Sequence, residues 1–238
     1  MLKKENKRGV SMQLVAIIIL IAGFAVLLLF LLKANLYGTT EKEICHNSVV
    51  LESKTPLIST LDCKTQYICI SGGNDCTTIS ANEKVDVTTK EDIMKALADK
   101  MSECWYMFGE DKHLNYAGGE VSSPKVYCAV CSIIAFDNKI QSETKSITHS
   151  EFYNYLATTK KTNSQTYLQY LYGVSNVNDL QIHNGFDVVS SNDILTTEKY
   201  SVITGIDRTG ITEDWLQVYL IPTSDTKLTT CTDFVTKA

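Results

Sequence analysis

Residues Leu14–Leu32 read LVAIIILIAGFAVLLLFLL, a run of nineteen residues without a charge, fifteen of which are Leu, Ile, Val or Phe. A helix of that length, at about 1.5 Å per residue, is about 28 Å long and matches the hydrocarbon core of a bilayer. We therefore predict that residues 10–32 form a transmembrane helix, which contacts the lipid bilayer through Leu14–Leu32.

The residues on either side of this run predict its orientation. Four cationic residues and one acidic residue precede it, within residues 1–9, whereas Lys33 alone follows it closely. Because cationic flanks stay in the cytoplasm, we expect a cytoplasmic tail over residues 1–9, a cell-membrane location and an extracytoplasmic C-terminal part. A cleaved secretory signal is the alternative, but its apolar region is shorter, about 7–15 residues.

The sequence Lys7-Arg8-Gly9-Val10-Ser11 gives a second interpretation of the same end. A basic pair and Gly before a long apolar helix resembles the class III signal peptide of archaeal type IV pilins, in which cleavage after Gly leaves the helix as the filament core. Leu14 stands where that family usually has Glu. The resemblance implies a pilin-like filament subunit as an alternative function.

Charge excludes one class of partner. The chain has 238 residues and a net charge of −5, although its first nine residues are cationic, so the predicted exterior is more acidic than the whole. An acidic surface without a basic stripe repels a phosphate backbone. We expect no nucleic-acid partner.

All eight cysteines follow the predicted span, on the side that the orientation places in an oxidising compartment. An even number of cysteines in such a compartment is typical of structural disulfides. The disulfide candidates are Cys45, Cys63, Cys69, Cys76, Cys104, Cys128, Cys131 and Cys231.

The exterior contains helical and strand-like segments without a regular strand–helix repeat. Helices are predicted from Thr40, Thr88, Thr148 and Ser164. Strands are predicted within 57–70, 126–137, 199–207 and 215–221. This pattern favours an α+β fold with a mostly antiparallel sheet and several short helices, divided into a stalk helix with a cysteine-rich cap (33–80) and a main domain (81–238).

The same periodicities predict which apolar side chains form the core of the main domain. They are Leu97, Met101, Cys104, Trp105, Val130, Ile133, Ile134, Phe152, Leu156, Leu168 and Leu216.

Cys128-Ala-Val-Cys131 is the motif that most resembles a chemical site. Redox pairs of this spacing lie at a helix N-terminus and zinc sites need a second pair, whereas this pair lies in a predicted strand. Residues three apart in a strand are about 10 Å apart and point to opposite faces, so these two cysteines should not bond to each other. We expect Cys104 to bond to one of them and Cys231 to the other, while the four earlier cysteines pair among themselves.

We assign no catalytic, cofactor-binding or metal-binding residue. His46, His113, His149 and His183 lack ligand spacing, and HExxH, GxSxG, P-loop and GxGxxG motifs are absent from the sequence. Five tyrosines between residues 153 and 172 suit a protein or glycan partner if they are exposed, and a core that covers the sheet if they are buried. Carboxylates from distant segments could still converge in the fold.

Residues 93–109 and Cys128–Ile134, together with the Cys-x-Thr-x-Tyr pattern at residues 63–67, resemble uncharacterised single-pass archaeal membrane proteins with a cysteine-rich extracytoplasmic domain. The similarity covers most of residues 8–136. It implies location and cysteine architecture, and it implies no activity.

Three functions follow from these observations. The first is a non-catalytic structural or interaction protein of the cell envelope, with an envelope protein or a glycan as its partner. The second is a pilin-like filament subunit, and the third is an exported hydrolase or thiol oxidoreductase.

N-terminal sequencing of the native protein separates the first two. We expect the basic tail to remain intact, because the glutamate that usually accompanies pilin processing is replaced by Leu14. A mature chain that begins at Val10 would contradict this and favour the filament subunit.

Overall fold

The computed structural model describes residues 16–24, 40–55, 61–110, 114–116, 125–180, 193–208, 214–224 and 231–237. The chain divides into two compact units, Met1–Thr40 and Glu41–Ala238. In the first unit, residues 16–24 are helical and all of them are exposed.

The predicted membrane span is described only over these nine residues, and the rest of Leu14–Leu32 lies outside the described part of the chain. Within that described part, no helix is both long enough and apolar enough to cross a bilayer.

The second unit contains five helices and eight strands among its described residues. The helices are α1 (Glu41–Lys54), α2 (Lys90–Met107), α3 (Asn138–Glu143), α4 (His149–Thr158) and α5 (Tyr167–Tyr172), with a 3-10 turn at Val177–Asp179. The strands are β1 (Gln66–Ser71), β2 (Glu83–Asp86), β3 (Val126–Phe136), β4 (Ser146–Ile147), β5 (Ile194–Leu195), β6 (Tyr200–Asp207), β7 (Asp214–Pro222) and β8 (Asp233–Phe234).

The main sheet has the order β2-β1-β3-β6-β7, with β8 also paired to β3 and with β4 and β5 forming a separate small ladder. Its two longest ladders, β3 with β6 and β6 with β7, are antiparallel, which confirms the α+β fold with a mostly antiparallel sheet. The pairing of β1 with β2 and with β3 is parallel and was not predicted. Because β1 pairs with β3, the sheet continues across the predicted boundary near residue 80.

The helix caps explain where the helices begin. In α2 the cap is Thr89, whose side chain accepts from the Asp92 N–H, so the predicted start at Thr88 was one residue early. The cap at Thr148 is confirmed. In α5 the cap is Thr166, and the helix ends at Gly173, which has a φ of 70° that glycine adopts without strain.

Most of the predicted core is confirmed. Nine of the eleven side chains are buried, including Leu97, Cys104 and Leu156, while Val130 and Ile133 are half-buried. These two exceptions lie in β3, where the register with β6 shifts between Val130 and Ser132. Such a bulge interrupts the strict alternation of faces on which the prediction depended.

The burial of Leu97 predicts a large loss of stability when its side chain is shortened. Leu97 is fully buried and Leu51 is 53% exposed, so the same substitution at the two sites separates packing from helix propensity. Leu97→Ala should lower the free energy of unfolding by about 2–5 kcal/mol, and Leu51→Ala should change it by about 0.5 kcal/mol or less. Urea titration measures both. Equal losses would show that Leu97 is not in a packed interior.

Candidate functional site

All eight cysteines form disulfides, and none is free. The bonds are Cys45–Cys63, Cys69–Cys76, Cys104–Cys131 and Cys128–Cys231. The pairing confirms that Cys128 and Cys131 bond to separate partners, Cys128 to the tail and Cys131 to α2. The structure therefore gives this CxxC motif a structural role.

The histidines do not form a site in the described part of the chain. His46 stacks on Tyr106, with ring centroids 4.5 Å apart, and its Nδ1 lies 2.7 Å from the Tyr106 carbonyl oxygen. His149 stacks on Tyr153, and burial lowers the pKa of His149. His113 and His183 lie outside the described residues. Among the residues that are described, no group of three His, Cys, Asp or Glu side chains could hold a metal ion.

The tyrosine cluster belongs to the core. Of its five members, Tyr170 is half-buried and the other four are buried. The Tyr172 hydroxyl donates to the Val218 carbonyl at 2.9 Å, and the Tyr167 hydroxyl donates to Asp99 at 2.6 Å. Burial raises the pKa of Tyr167, and its bond to Asp99 raises it further. These contacts fix α5 to β7 and to α2, so the exposed-tyrosine interpretation was wrong.

A polar cleft lies at one edge of the sheet, where α1, β1 and β2 begin. Its larger cavity, of about 350 Å³, is lined by Glu41, Gln66, Asn82 and Glu83. A smaller cavity of about 220 Å³ shares Asn82 and Glu83 and reaches the Cys69–Cys76 disulfide. We call the two together the β1–β2 cleft.

The secondary structure explains why these residues meet. Glu41 is the first residue of α1, Gln66 is the first residue of β1, and Glu83 is the first residue of β2. Because β1 and β2 are parallel, their N-terminal ends lie at the same edge of the sheet. Asn82 joins the two strands: its backbone N–H donates to the Tyr67 carbonyl and its Oδ1 accepts from the Tyr67 N–H, both at 2.9 Å.

Each carboxylate of the cleft already forms an ion pair with a lysine. Glu83 accepts from Lys100 at 2.5 Å, Glu41 lies 3.5 Å from Lys64, and the rim carboxylate Asp75 accepts from Lys84 at 2.9 Å. The charge of the cleft is therefore balanced.

Lys100 is only 5% exposed, so it is held firmly. Burial works to lower its pKa, but hydrogen bonds and charge attraction from Glu83 and Glu103 outweigh burial and raise it. Glu103 in turn pairs with Lys42 of α1 at 2.6 Å, which ties the first turn of α1 to α2 beside the cleft.

Gln66 is the unusual member of the cleft. The residue is 8% exposed and lines the larger cavity. No described residue makes a hydrogen bond with its carboxamide, which has two donors and an acceptor. Its nitrogen and oxygen are not among the buried side-chain atoms that lack a partner, so the carboxamide is open to the cavity and can be completed from solution.

A second cavity, of about 470 Å³, is lined by Thr78, Thr197, Glu198, Lys199, Thr223 and Ser224. It is rich in hydroxyls, but its lining side chains are exposed or half-buried. Without a buried polar group that requires a partner, this cavity is the weaker candidate.

Sequence reasoning missed the β1–β2 cleft. Glu41, Gln66 and Glu83 come from three segments, and a single Gln at the start of an apolar strand is no recognisable motif. The parallel pairing that brings them together was also not predicted.

Comparisons with known protein families, with curated proteins and with solved structures find no match to this chain. The class that the fold and the cleft define is a disulfide-bonded α+β domain with a polar cleft. Any function must be argued from that geometry.

The unpartnered carboxamide predicts an unusual response to substitution. Gln66→Leu should change the free energy of unfolding by about 1 kcal/mol or less, because it removes a carboxamide that makes no hydrogen bond with any described residue. The neighbouring Thr65 is also buried, but its hydroxyl donates to the Val130 carbonyl at 2.8 Å.

Thr65→Val is therefore the matched control and should cost about 1–2 kcal/mol. Chemical denaturation of both variants measures the difference. A loss of more than about 1 kcal/mol for Gln66→Leu would contradict an unpaired Gln66.

Proposed function

We propose that this chain is a membrane-anchored, extracytoplasmic structural or interaction protein of the cell envelope, and that it acts without catalysis. The observation that carries this proposal is that all eight cysteines are paired in four disulfides. Such bonds form and persist in oxidising compartments and are rare in the cytosol. The domain that contains them is therefore assigned to the outside.

The anchor rests on the uncharged run Leu14–Leu32 and on the helical residues within it. Ile17, Leu20, Phe24 and their apolar neighbours in residues 16–24 are all exposed. A helix that is apolar on every side needs an apolar environment. Nine residues cover about 14 Å, roughly half of a bilayer core, so the proposed anchor requires more of the run than these residues.

The chemistry of the cleft supports binding rather than hydrolysis. A glycosidase needs one carboxyl that carries a proton and a second that is ionised. Glu41 and Glu83 lie in one cleft, but each already forms an ion pair, Glu41 with Lys64 and Glu83 with Lys100. Neither carboxylate is left free to act on a substrate, which favours binding over an exported hydrolase.

The proposal is tested by the topology of the chain in intact cells. Protease added outside should remove a C-terminal tag and the disulfide-bonded domain, and it should leave a small membrane-bound fragment. A second chain, with Lys3, Lys4, Lys7 and Arg8 changed to Gln, is the control for orientation. It should lose its uniform topology, because cationic flanks set the direction of insertion.

Complete protection of the unaltered chain would reverse the assignment. Release of the whole domain without added protease would show a cleaved signal instead of an anchor. A resident cytoplasmic protein that stays intact confirms that the cells are sealed.

A further inference from the structure

The structure points to the chemical class of the ligand that the β1–β2 cleft takes. Gln66 supplies the first constraint, because its carboxamide is open to the larger cavity and makes no hydrogen bond with any described residue. A ligand that completes this carboxamide must offer both a donor and an acceptor, since the amide has both. Hydroxyl groups do this, whereas ammonium groups only donate and carboxylates only accept.

Charge supplies the second constraint. A cationic ligand would compete with Lys100 for Glu83, although Lys100 is buried and bound at 2.5 Å. An anionic ligand would approach the carboxylates of Glu41 and Glu83. A neutral ligand meets neither obstacle, and its hydroxyls can donate to carboxylate oxygens in charge-assisted hydrogen bonds.

The remaining polar groups fit the same ligand. The Oδ1 of Asn82 is held by the Tyr67 N–H at 2.9 Å, so the orientation of the carboxamide is fixed and its NH₂ group is the part left to donate. The larger cavity, at about 350 Å³, lies within the range of about 300–1,000 Å³ that small-molecule sites occupy.

We propose that the β1–β2 cleft binds a neutral oligosaccharide through Gln66, Asn82, Glu41 and Glu83, an assignment that rests on the extracytoplasmic location proposed above. Among the described lining residues there is no aromatic ring on which a sugar could stack. A single site should therefore bind weakly, with a Kd on the order of 1 mM. Many anchored copies facing one polymer would raise the avidity.

The test uses the full chain in a detergent whose head group contains no sugar. The readout is the NMR signals of the side-chain NH₂ groups of Gln66 and Asn82, assigned by their loss in Gln66→Leu and Asn82→Asp. The neutral probes are mannotriose, maltotriose, cellotriose and chitotriose, each raised to about 50 mM, well above the expected Kd. Trigalacturonate is the anionic probe and spermidine is the cationic probe.

We expect at least one neutral trisaccharide to shift both signals in a saturable way, and trigalacturonate and spermidine to shift them at least fivefold more weakly. Backbone shifts should show binding to Gln66→Leu and Asn82→Asp weakened at least fivefold. Asn82→Asp keeps an acceptor for the Tyr67 N–H and replaces the NH₂ donor by a charged oxygen, so it tests the contact without opening the strands. Gln165→Leu, at an exposed site outside the cleft, is the matched control and should bind normally.

Three results would overturn the inference: no shift with any of the four neutral sugars, saturable binding of spermidine alone, or sugar binding that survives both cleft variants. The first would mean that water alone completes Gln66. None of these results alters the topology of the chain in intact cells, so failure of this inference is distinguishable from failure of the proposed location.

Discussion

Two disulfides join β3 to α2 and to the C-terminal segment, and the rest of the structure depends on them. Cys131 bonds to Cys104 in α2, and Cys128 bonds to Cys231 in the C-terminal segment. The sequence separations are 27 and 103 residues, and in the chain-entropy treatment each bond stabilises the folded state by roughly 3–5 kcal/mol. Since β3 also pairs with β1, β6 and β8, one strand connects both sides of the sheet with α2.

The bulge in β3 explains why the C-terminal segment is needed. At the bulge, the Val130 N–H donates to the Thr236 hydroxyl at 3.0 Å, and its carbonyl accepts from the Thr65 hydroxyl at 2.8 Å. The backbone of Lys237 is bonded on either side to Cys63 and Thr65, each at 2.9 Å. The chain end thus supplies the partners that an interrupted ladder lacks, and it fixes the segment immediately before Gln66.

The sequence was most informative where the evidence was local. Helical spacing predicted α2 and its buried face, and the separation of Cys128 from Cys131 predicted that one bonds to Cys104 and the other to Cys231, without deciding which. That argument assumed a regular strand, although the register shifts beside Cys131, and it succeeded because the two partners lie on different elements. The cap of α2 was placed one residue early, because Thr88 and Thr89 both precede an acidic residue by three positions and only packing chooses between them.

Long-range pairing could not be predicted in this way. The parallel strands β1 and β3 are connected by a crossover that contains α2. Because β2 lies between β1 and α2 along the chain, the sequence does not show a simple strand–helix–strand pattern. β8 is only two residues long, which is too short for any periodicity. The predicted transmembrane span remains a prediction for a different reason, since most of it lies outside the described residues.

The same limit explains why the cleft is visible only in the structure. The start of β1 carries Gln66, which is 8% exposed and forms no hydrogen bond with any described residue. Its carboxamide opens to the cleft, and this is the observation from which we propose a role in binding. The cleft exists because parallel pairing brings the starts of β1 and β2 together, and because the chain end holds Thr65 against Val130. The contacts that stabilise the centre of the sheet therefore also position the group that we assign to the ligand.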